Sequence, residues 1–231
     1  MRVGRAGPDV AGVIRLAQVP EGGAVLDLCC GIGRHSLEFA RHGYAVTGVD
    51  LNRGYLDRSR AQAEAEGLNL ELVESDAREF VRPRAFDLAV NLYTSFGYFD
   101  SLADDQRLLQ NMRESLRPGG ALVIETMGKE TVARQMKGRS WFMSGEDQQD
   151  VVLVDNRVIG AWERVELSWT LIKPDGRRAE AKLNIRLYSA VEMASLLREC
   201  GFVTTTVYGD LQGRPYDQDA ALLVVVARAP G

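Results

Sequence analysis

The sequence predicts an α/β fold in which helices cover both faces of a mostly parallel sheet. Short apolar segments alternate with helical segments through the first half of the chain, and the last two apolar segments are typical of an antiparallel pair. Repeated strand-helix-strand units with right-handed crossovers place their strands in one parallel sheet, which is then buried on both sides.

The first unit lies in the segment VLDLCCGIGRHS, residues 25–36. An apolar run with the length and branching of a buried strand breaks at Gly31 and Gly33, and a helix that ends at Gly43 follows. A strand, a glycine turn and a helix together allow bare backbone to approach a small ligand.

Four more strands and two helices complete the first half. The strands are predicted in AVTGVD (45–50), NLELVE (from 69), FDLAVNL (86–92) and ALVIET (121–126). A helix after the second strand stops at Gly67, and Ser101 caps another helix. The apolar face of this last helix is predicted to contain Leu102, Leu108, Leu109, Met112 and Leu116.

The second half changes character between residues 127 and 188. Its alternating segments, joined by the turn sequence KPDG at 173–176, predict an inserted antiparallel hairpin. A helix over 190–200 and two closing antiparallel strands follow. The sequence therefore predicts a single domain over residues 1–231, with 127–188 as an inserted antiparallel β subdomain.

Composition limits the classes of protein that fit. A chain of 231 residues, 45% of them hydrophobic, buries one substantial core, and its net charge of −4 comes from interspersed signs. Neither a nucleic-acid groove nor a polybasic membrane surface is expected. Three cysteines fit neither a disulfide framework nor metal-ligand spacing, and no apolar run is long enough to cross a bilayer. A cytoplasmic location is predicted.

The segments around these strands resemble the class I S-adenosylmethionine-dependent methyltransferases over about residues 24–126. Five segments match that family's motifs in order: VLDLCCGIGRHS (25–36), VTGVDLN (46–52), ESDAREF (74–80), FDLAVNL (86–92) and LRPGGALVIET (116–126). The resemblance implies S-adenosylmethionine as cofactor. It also implies a Rossmann-like seven-stranded methyltransferase sheet, mostly parallel with the last strand antiparallel, and an antiparallel β insertion after the fifth strand.

The same resemblance assigns residues to the methionyl end of the cofactor. Asp27 is expected to hold the ammonium, and Arg34, with the N-terminus of the helix, lies near the carboxylate. Gly31 and Gly33 allow the chain to approach without a side-chain collision. Both glycines also fit a plain strand-to-helix corner.

The adenosine end is assigned to the next two strands. Asp50 is expected to accept hydrogen bonds from both ribose hydroxyls, and Leu51 covers one adenine face. Asp76, with the backbone around Ala77 and Arg78, is suited to the adenine amino edge. Taken alone, Asp50 and Asp76 are also typical of helix-capping and turn residues.

The loop after the fourth strand is predicted to receive the acceptor. Asn91 and Leu92 bring backbone groups toward the methionyl amine and the reacting methyl, by resemblance. Tyr93 and Tyr98 are expected to line the acceptor pocket as catalytic residues, orienting a nucleophile or stabilising a cation through their rings. Alternatively, about half of the aromatic residues of this loop are explained by packing into the core.

Two departures from the family pattern stand out. Cys29 occupies a position where many relatives have glycine, which implies a backbone conformation there that tolerates a side chain. Few residues precede the first strand, so a lid over the cofactor is either absent or supplied by the insertion. Its aromatic residues are candidates for a roof over the pocket and equally for sheet packing: Trp141, Phe142, Trp162 and Trp169.

The reaction implied is in-line transfer of a sulfonium methyl group to nitrogen or oxygen of a small-molecule acceptor. Alignment and removal of water dominate such a reaction, and no residue stands out as a general base. Two other classes stay open: a nicotinamide dinucleotide-dependent oxidoreductase, which would prefer glycine at Ser36, and a non-catalytic cofactor-binding module. The insertion offers a surface for a homodimer, which nothing in the sequence requires.

Overall fold

A computed structural model describes residues 6–145 and 147–231; residues 1–5 of the predicted domain and residue 146 of its insertion lie outside this range. The helices are α1 (Ala6–Ala17), α2 (Arg34–Arg41), α3 (Arg53–Glu66), α4 (Leu102–Ser115), α5 (Lys129–Gln135) and α6 (Ala190–Glu199). The strands are β1 (Ala24–Leu28), β2 (Ala45–Asp50), β3 (Glu71–Glu74), β4 (Phe86–Asn91), β5 (Leu116–Thr126), β6 (Arg139–Ser144), β7 (Asp150–Ile159), β8 (Arg164–Ile172), β9 (Arg178–Arg186), β10 (Thr204–Tyr208) and β11 (Leu223–Arg228).

Seven strands form the main sheet in the order β10-β11-β5-β4-β1-β2-β3. β1 pairs in parallel with both β2 and β4, whereas β11 is antiparallel to β5 and to β10. The predicted fold class is confirmed. The chain leaves β1 toward β3 and returns on the other side at β4, so the strand order reverses between β1 and β4. A crevice therefore opens at the carboxyl ends of these two strands.

Alternation along the strands builds a core on each face of this sheet. Leu26 and Leu28 of β1 enter the cluster formed with α4 and α6, whereas Val25 enters the cluster formed with α1 and α2. Phe39 of α2 is fully buried in the second cluster, where it makes an edge contact with Tyr44. Each such burial contributes about 1.5–3 kcal/mol to folding, so both layers hold the strand ends in place.

Helix α4 begins as predicted, because the Ser101 hydroxyl accepts the Asp104 amide proton at 3.2 Å. Its predicted apolar face is wrong at both ends. Leu102, the first residue of α4, is 45% exposed and does not join the buried face formed by Leu108, Leu109 and Met112. Leu116 is buried, but it is the first residue of β5, since α4 ends at Ser115. Helix α1 was not predicted at all.

The insertion is larger than the predicted hairpin. β6 to β9 form a four-stranded antiparallel sheet, in that order, and α5 precedes it. The first and last residues of the insertion lie side by side, because the Lys129 amide donates to the Tyr188 carbonyl at 3.0 Å. Val132 of α5 packs under the sheet against Val165 and Ile185. No helix in the described ranges has the length and apolar character needed to cross a membrane.

Candidate active site

Two adjoining cavities occupy the crevice at the carboxyl ends of the parallel strands. The first, about 410 Å³, lies at the ends of β2 and β3, and the second, about 510 Å³, extends from the end of β1 toward α2 and α3. Both are lined by Cys29, Gly31, Tyr55, Ser95 and Tyr98. The two cavities therefore adjoin, each has the size that small-molecule ligands need, and together they are called the cleft.

Asp50 is fixed at the end of β2 by the glycine turn. One carboxylate oxygen accepts the Gly31 amide proton at 2.8 Å, and the other accepts the Asn52 amide proton at 2.8 Å. A carboxylate oxygen has more than one acceptor position, so each can still accept a hydroxyl. A Cβ atom built on Gly31 would meet nothing within 4 Å, which shows that this turn faces open cleft. The arrangement fits a ligand that carries neighbouring hydroxyls.

Asp76 is held in the first cavity by Arg78, two residues further along the chain. Arg78 forms a fork with the Asp76 carboxylate, and the Nη2–Oδ2 distance is 2.6 Å. Hydrogen bonds from this guanidinium and from the Arg78 amide lower the pKa of Asp76 to about 2. The Arg78 guanidinium also lies 4.9 Å from the centre of the Phe99 ring. Asp76, Ala77, Arg78 and Leu51 all line this cavity, and Leu51 is largely exposed.

Asp27 and Arg34 lie on the wall of the second cavity. Asp27 is buried and accepts a hydrogen bond from the Ser36 hydroxyl at 2.5 Å, and burial raises the pKa of its carboxyl. The Arg34 guanidinium stacks over the Tyr93 ring, 4.2 Å from its centre. An acidic group and a basic group thus line the same cavity, which suits a zwitterionic ligand.

Gly33 has a packing reason for being glycine. Its φ is +76°, and a Cβ atom there would lie 2.0 Å from the Ser59 hydroxyl oxygen of α3. Glycine is therefore needed at position 33 for close approach of α2 and α3. Whether Gly33 also contacts a cofactor stays a prediction.

The expectation for Cys29 was wrong. Its φ of +64° lies in the left-handed region that favours glycine, so the backbone does not readily tolerate a side chain. Burial, with Asp50 and Asp27 nearby, raises the pKa of the Cys29 thiol to about 12, and burial also raises the pKa of Cys30. Neither thiol forms a thiolate at neutral pH, in agreement with a packing role.

The end of β4 carries a strained turn. The Asn91 side chain is fully buried and donates to the Leu28 carbonyl at 3.0 Å, while Leu92 lines the second cavity. Tyr93 and Thr94 follow with φ values of +60° and +62°. Glu125 of β5 holds both residues, because its carboxylate accepts the Tyr93 amide and its carbonyl accepts the Thr94 amide, each at 3.0 Å. Backbone strain of this kind is typical of functional sites.

The aromatic residues after this turn divide between cleft and core. Tyr98 lines both cavities, and burial raises the pKa of its hydroxyl, which stays protonated at neutral pH. Phe96 is buried and packs against Tyr188 with ring centres 5.5 Å apart. Sequence reasoning missed Tyr55 and Ser95, which line both cavities. Tyr55 lies in the first turn of α3, five residues after Asp50, and this closeness to Asp50 in the sequence was the available signal.

The insertion does not roof the described cleft. Trp141, Phe142 and Trp162 are 67%, 45% and 41% exposed, and neither they nor Trp169 line either cavity. Trp141 and Phe142 lie in β6 and Trp169 lies in β8, where alternation places side chains on the two faces of the insertion sheet, whereas Trp162 lies in the turn between β7 and β8.

The main sheet, with its reversed strand order and antiparallel β11, has the fold of solved S-adenosylmethionine-dependent methyltransferases, and the predicted resemblance to the class I family is confirmed. Residues 25–120 match the family model described as a methyltransferase domain.

Known methyltransferases are similar to this chain in sequence and in fold. The ubiquinone biosynthesis O-methyltransferase of Coxiella burnetii is 30% identical over 116 residues, which cover 47% of this chain and 45% of that protein. The chain thus matches less than half the length of this relative. The dTDP-4-amino-2,3,4,6-tetradeoxy-D-glucose N,N-dimethyltransferase of Saccharopolyspora spinosa is 25% identical over 85% of this chain and 78% of its own. An S-adenosylmethionine-dependent methyltransferase structure from Clostridium acetobutylicum shares the fold, with a TM-score of 0.84 and 16% identity over 100% of this chain and 93% of its own.

Proposed function

We propose that this chain is an enzyme that transfers a methyl group from S-adenosylmethionine to nitrogen or oxygen of a small-molecule acceptor. The observation that carries the proposal is the pair of carboxylates at neighbouring strand ends, Asp50 and Asp76, facing one cavity beside the open Gly31 turn. Asp50 holds the ribose hydroxyls, and Leu51 covers the adenine. Asp76, Ala77 and Arg78 bind its amino edge. These two carboxylates are positioned by their own hydrogen bonds, so little ordering is required when the ligand binds.

The second cavity supports the assignment of the methionyl end. Asp27 binds the ammonium and Arg34 the carboxylate, while the backbone at Asn91 and Leu92 approaches the reacting centre. When bound, S-adenosylmethionine supplies a methyl group that its sulfonium already activates. The residues of the cleft then need to align the acceptor and exclude water.

The acceptor is a small molecule that reaches the cleft beside Tyr93 and Tyr98. A relative named as an amino-sugar N,N-dimethyltransferase covers most of this chain, so an amino sugar linked to a nucleotide is the first acceptor to test. The net charge of −4 favours neither nucleic acid nor an anionic membrane as a partner. The described cysteines are free thiols, which supports a cytoplasmic location.

A second copy of the chain is the proposed protein partner. β6 is an edge strand of the insertion sheet, and its Trp141, Phe142 and Met143 are exposed. An exposed apolar edge strand is a ready template for pairing with another strand.

Binding of the cofactor product is the first test. We expect S-adenosylhomocysteine at about 100 times its Kd to add about 2.7 kcal/mol of stability, which raises the Tm by about 5–10 °C for a chain of this size. Differential scanning calorimetry measures the shift. A nicotinamide dinucleotide at equal concentration should leave the Tm unchanged; an equal rise with the dinucleotide would favour the oxidoreductase class instead.

The tyrosine hydroxyls are tested by removing them singly. We expect Tyr98→Phe and Tyr93→Phe each to lower kcat about tenfold and to leave the cofactor KM within about threefold, because each hydroxyl orients the acceptor. Steady-state kinetics with labelled S-adenosylmethionine measure both constants. Tyr44→Phe, in the core against Phe39, serves as the control. Full turnover in both variants would end the proposed role of these hydroxyls.

A further inference from the structure

The loop over residues 93–101, between β4 and α4, is bound to the insertion sheet as well as to the cleft. Its Ser95, Tyr98 and Phe99 line the first cavity. On its other side, the Gly97 carbonyl accepts the Arg186 amide proton at 2.7 Å. The approach is close, since a Cβ atom on Gly97 would lie 2.6 Å from the Arg186 carbonyl oxygen.

Two arginine side chains of the insertion sheet bind the same loop through its carbonyl groups. Arg164 Nη2 donates to the carbonyls of Phe99 and Asp100 at 2.6 and 2.7 Å. Arg186 Nη2 donates to the Asp100 carbonyl at 2.8 Å. Charged donors of fixed planar geometry make these contacts both strong and directional.

Placing these two arginines next to each other destabilises the sheet unless a nearby negative charge offsets their repulsion. Arg164 and Arg186 are direct cross-strand partners in β8 and β9, and like charges at such positions destabilise a sheet. Asp105 of α4, fully buried, lies 3.3 Å from Arg186 Nε, and its same oxygen accepts the Tyr188 hydroxyl proton at 2.6 Å. The guanidinium of Arg186 is thereby anchored to the core of the main sheet domain.

We propose that Arg164 and Arg186 are positioning residues that hold the 93–101 loop, and with it Tyr98, in place for methyl transfer. This proposal rests on the proposed function of the cleft. The insertion sheet does not line the cleft, and it acts through the loop carbonyls at positions 97, 99 and 100.

The test compares Arg164→Met with Arg157→Met in the 231-residue chain. Arg157 lies in the same sheet, is exposed and pairs with Asp155 of its own strand, so its replacement is the matched control. Limited chymotrypsin digestion reads the loop directly, because Tyr98 and Phe99 are cleavage sites and cleavage follows local opening. We expect cleavage after these residues to be about tenfold faster in Arg164→Met and unchanged in Arg157→Met.

Kinetics supply the second reading. In Arg164→Met we expect kcat to fall about tenfold while the cofactor KM stays within about threefold, because Asp50 and Asp76 lie on other elements. Arg164→Lys keeps the charge but replaces the planar guanidinium by an ammonium group, so its cleavage rate and its kcat should lie between those of the wild type and of Arg164→Met. It replaces Arg164→Met if the latter does not fold.

Several outcomes would overturn the proposal. These are unchanged loop cleavage, faster cleavage with unchanged kcat, or cleavage that rises equally after Trp141 and Phe142 of the insertion. If the wild type transfers no methyl group, the proposed function fails, while the digestion still decides whether the arginines hold the loop.

Discussion

Asp50→Asn is expected to weaken S-adenosylhomocysteine binding about 100-fold or more. The carboxylate of Asp50 accepts the amide protons of Gly31 and Asn52, and it is proposed to accept both ribose hydroxyls. A hydrogen bond to a charged group contributes about 1.5–3 kcal/mol, and an amide in this place turns one acceptor into a donor facing a donor. Two lost or reversed contacts therefore exceed the 2.7 kcal/mol that corresponds to about 100-fold.

Isothermal titration calorimetry measures this effect directly. Asp57→Asn removes the same charge from the next helix, where Asp57 pairs with Arg60 on the surface, and should leave the Kd unchanged. The melting temperature of each ligand-free variant shows whether the turn is intact. An Asp50→Asn protein that keeps its fold and binds S-adenosylhomocysteine as tightly as the wild type would remove Asp50 from the site.

Gly33→Ala is expected to have the largest effect on stability, lowering the free energy of unfolding by about 3 kcal/mol. The left-handed φ of +76° costs an alanine about 1–2 kcal/mol, and the contact of its Cβ at 2.0 Å with Ser59 Oγ adds about 1–3 kcal/mol. Urea denaturation with linear extrapolation measures the change.

Gly31→Ala is the matched comparison within the same turn. Its φ is +57°, yet its Cβ would meet open space, so we expect a loss of only about 1–2 kcal/mol. Because Gly31 lines both cavities, its alanine variant should instead weaken ligand binding. Ser59→Ala, which removes a buried hydroxyl without a hydrogen-bond partner, should recover about 1 kcal/mol in the Gly33→Ala background. Equal losses at the two glycines would contradict this account of helix packing.

The sequence by itself was sufficient for the fold and for much of the candidate site. β1 to β4 match the predicted segments, and β5 contains its predicted segment but begins five residues earlier, at Leu116. β10 and β11 pair antiparallel as expected, and the Gly67 and Ser101 helix boundaries are present. Buried strands and capped helices leave local signals in the sequence, because their residue types and spacing must match the side-chain period of a strand or of a helix. For the same reason, side chains at the ends of successive parallel strands could be assigned to one edge of the sheet.

Only the tertiary structure decided the features that depend on contacts between distant segments. The left-handed backbone at Cys29 is one such feature, as are the four-stranded form of the insertion and the arginine contacts from β8 and β9 to the 93–101 loop. Helix α1 is another, because it packs against a distant segment of the chain. Gly12 lies against the Leu211 carbonyl, and Arg15 donates a hydrogen bond to that same carbonyl across 196 residues of sequence. Such contacts have no period along the chain. Their energies depend on which surfaces the completed sheet brings together.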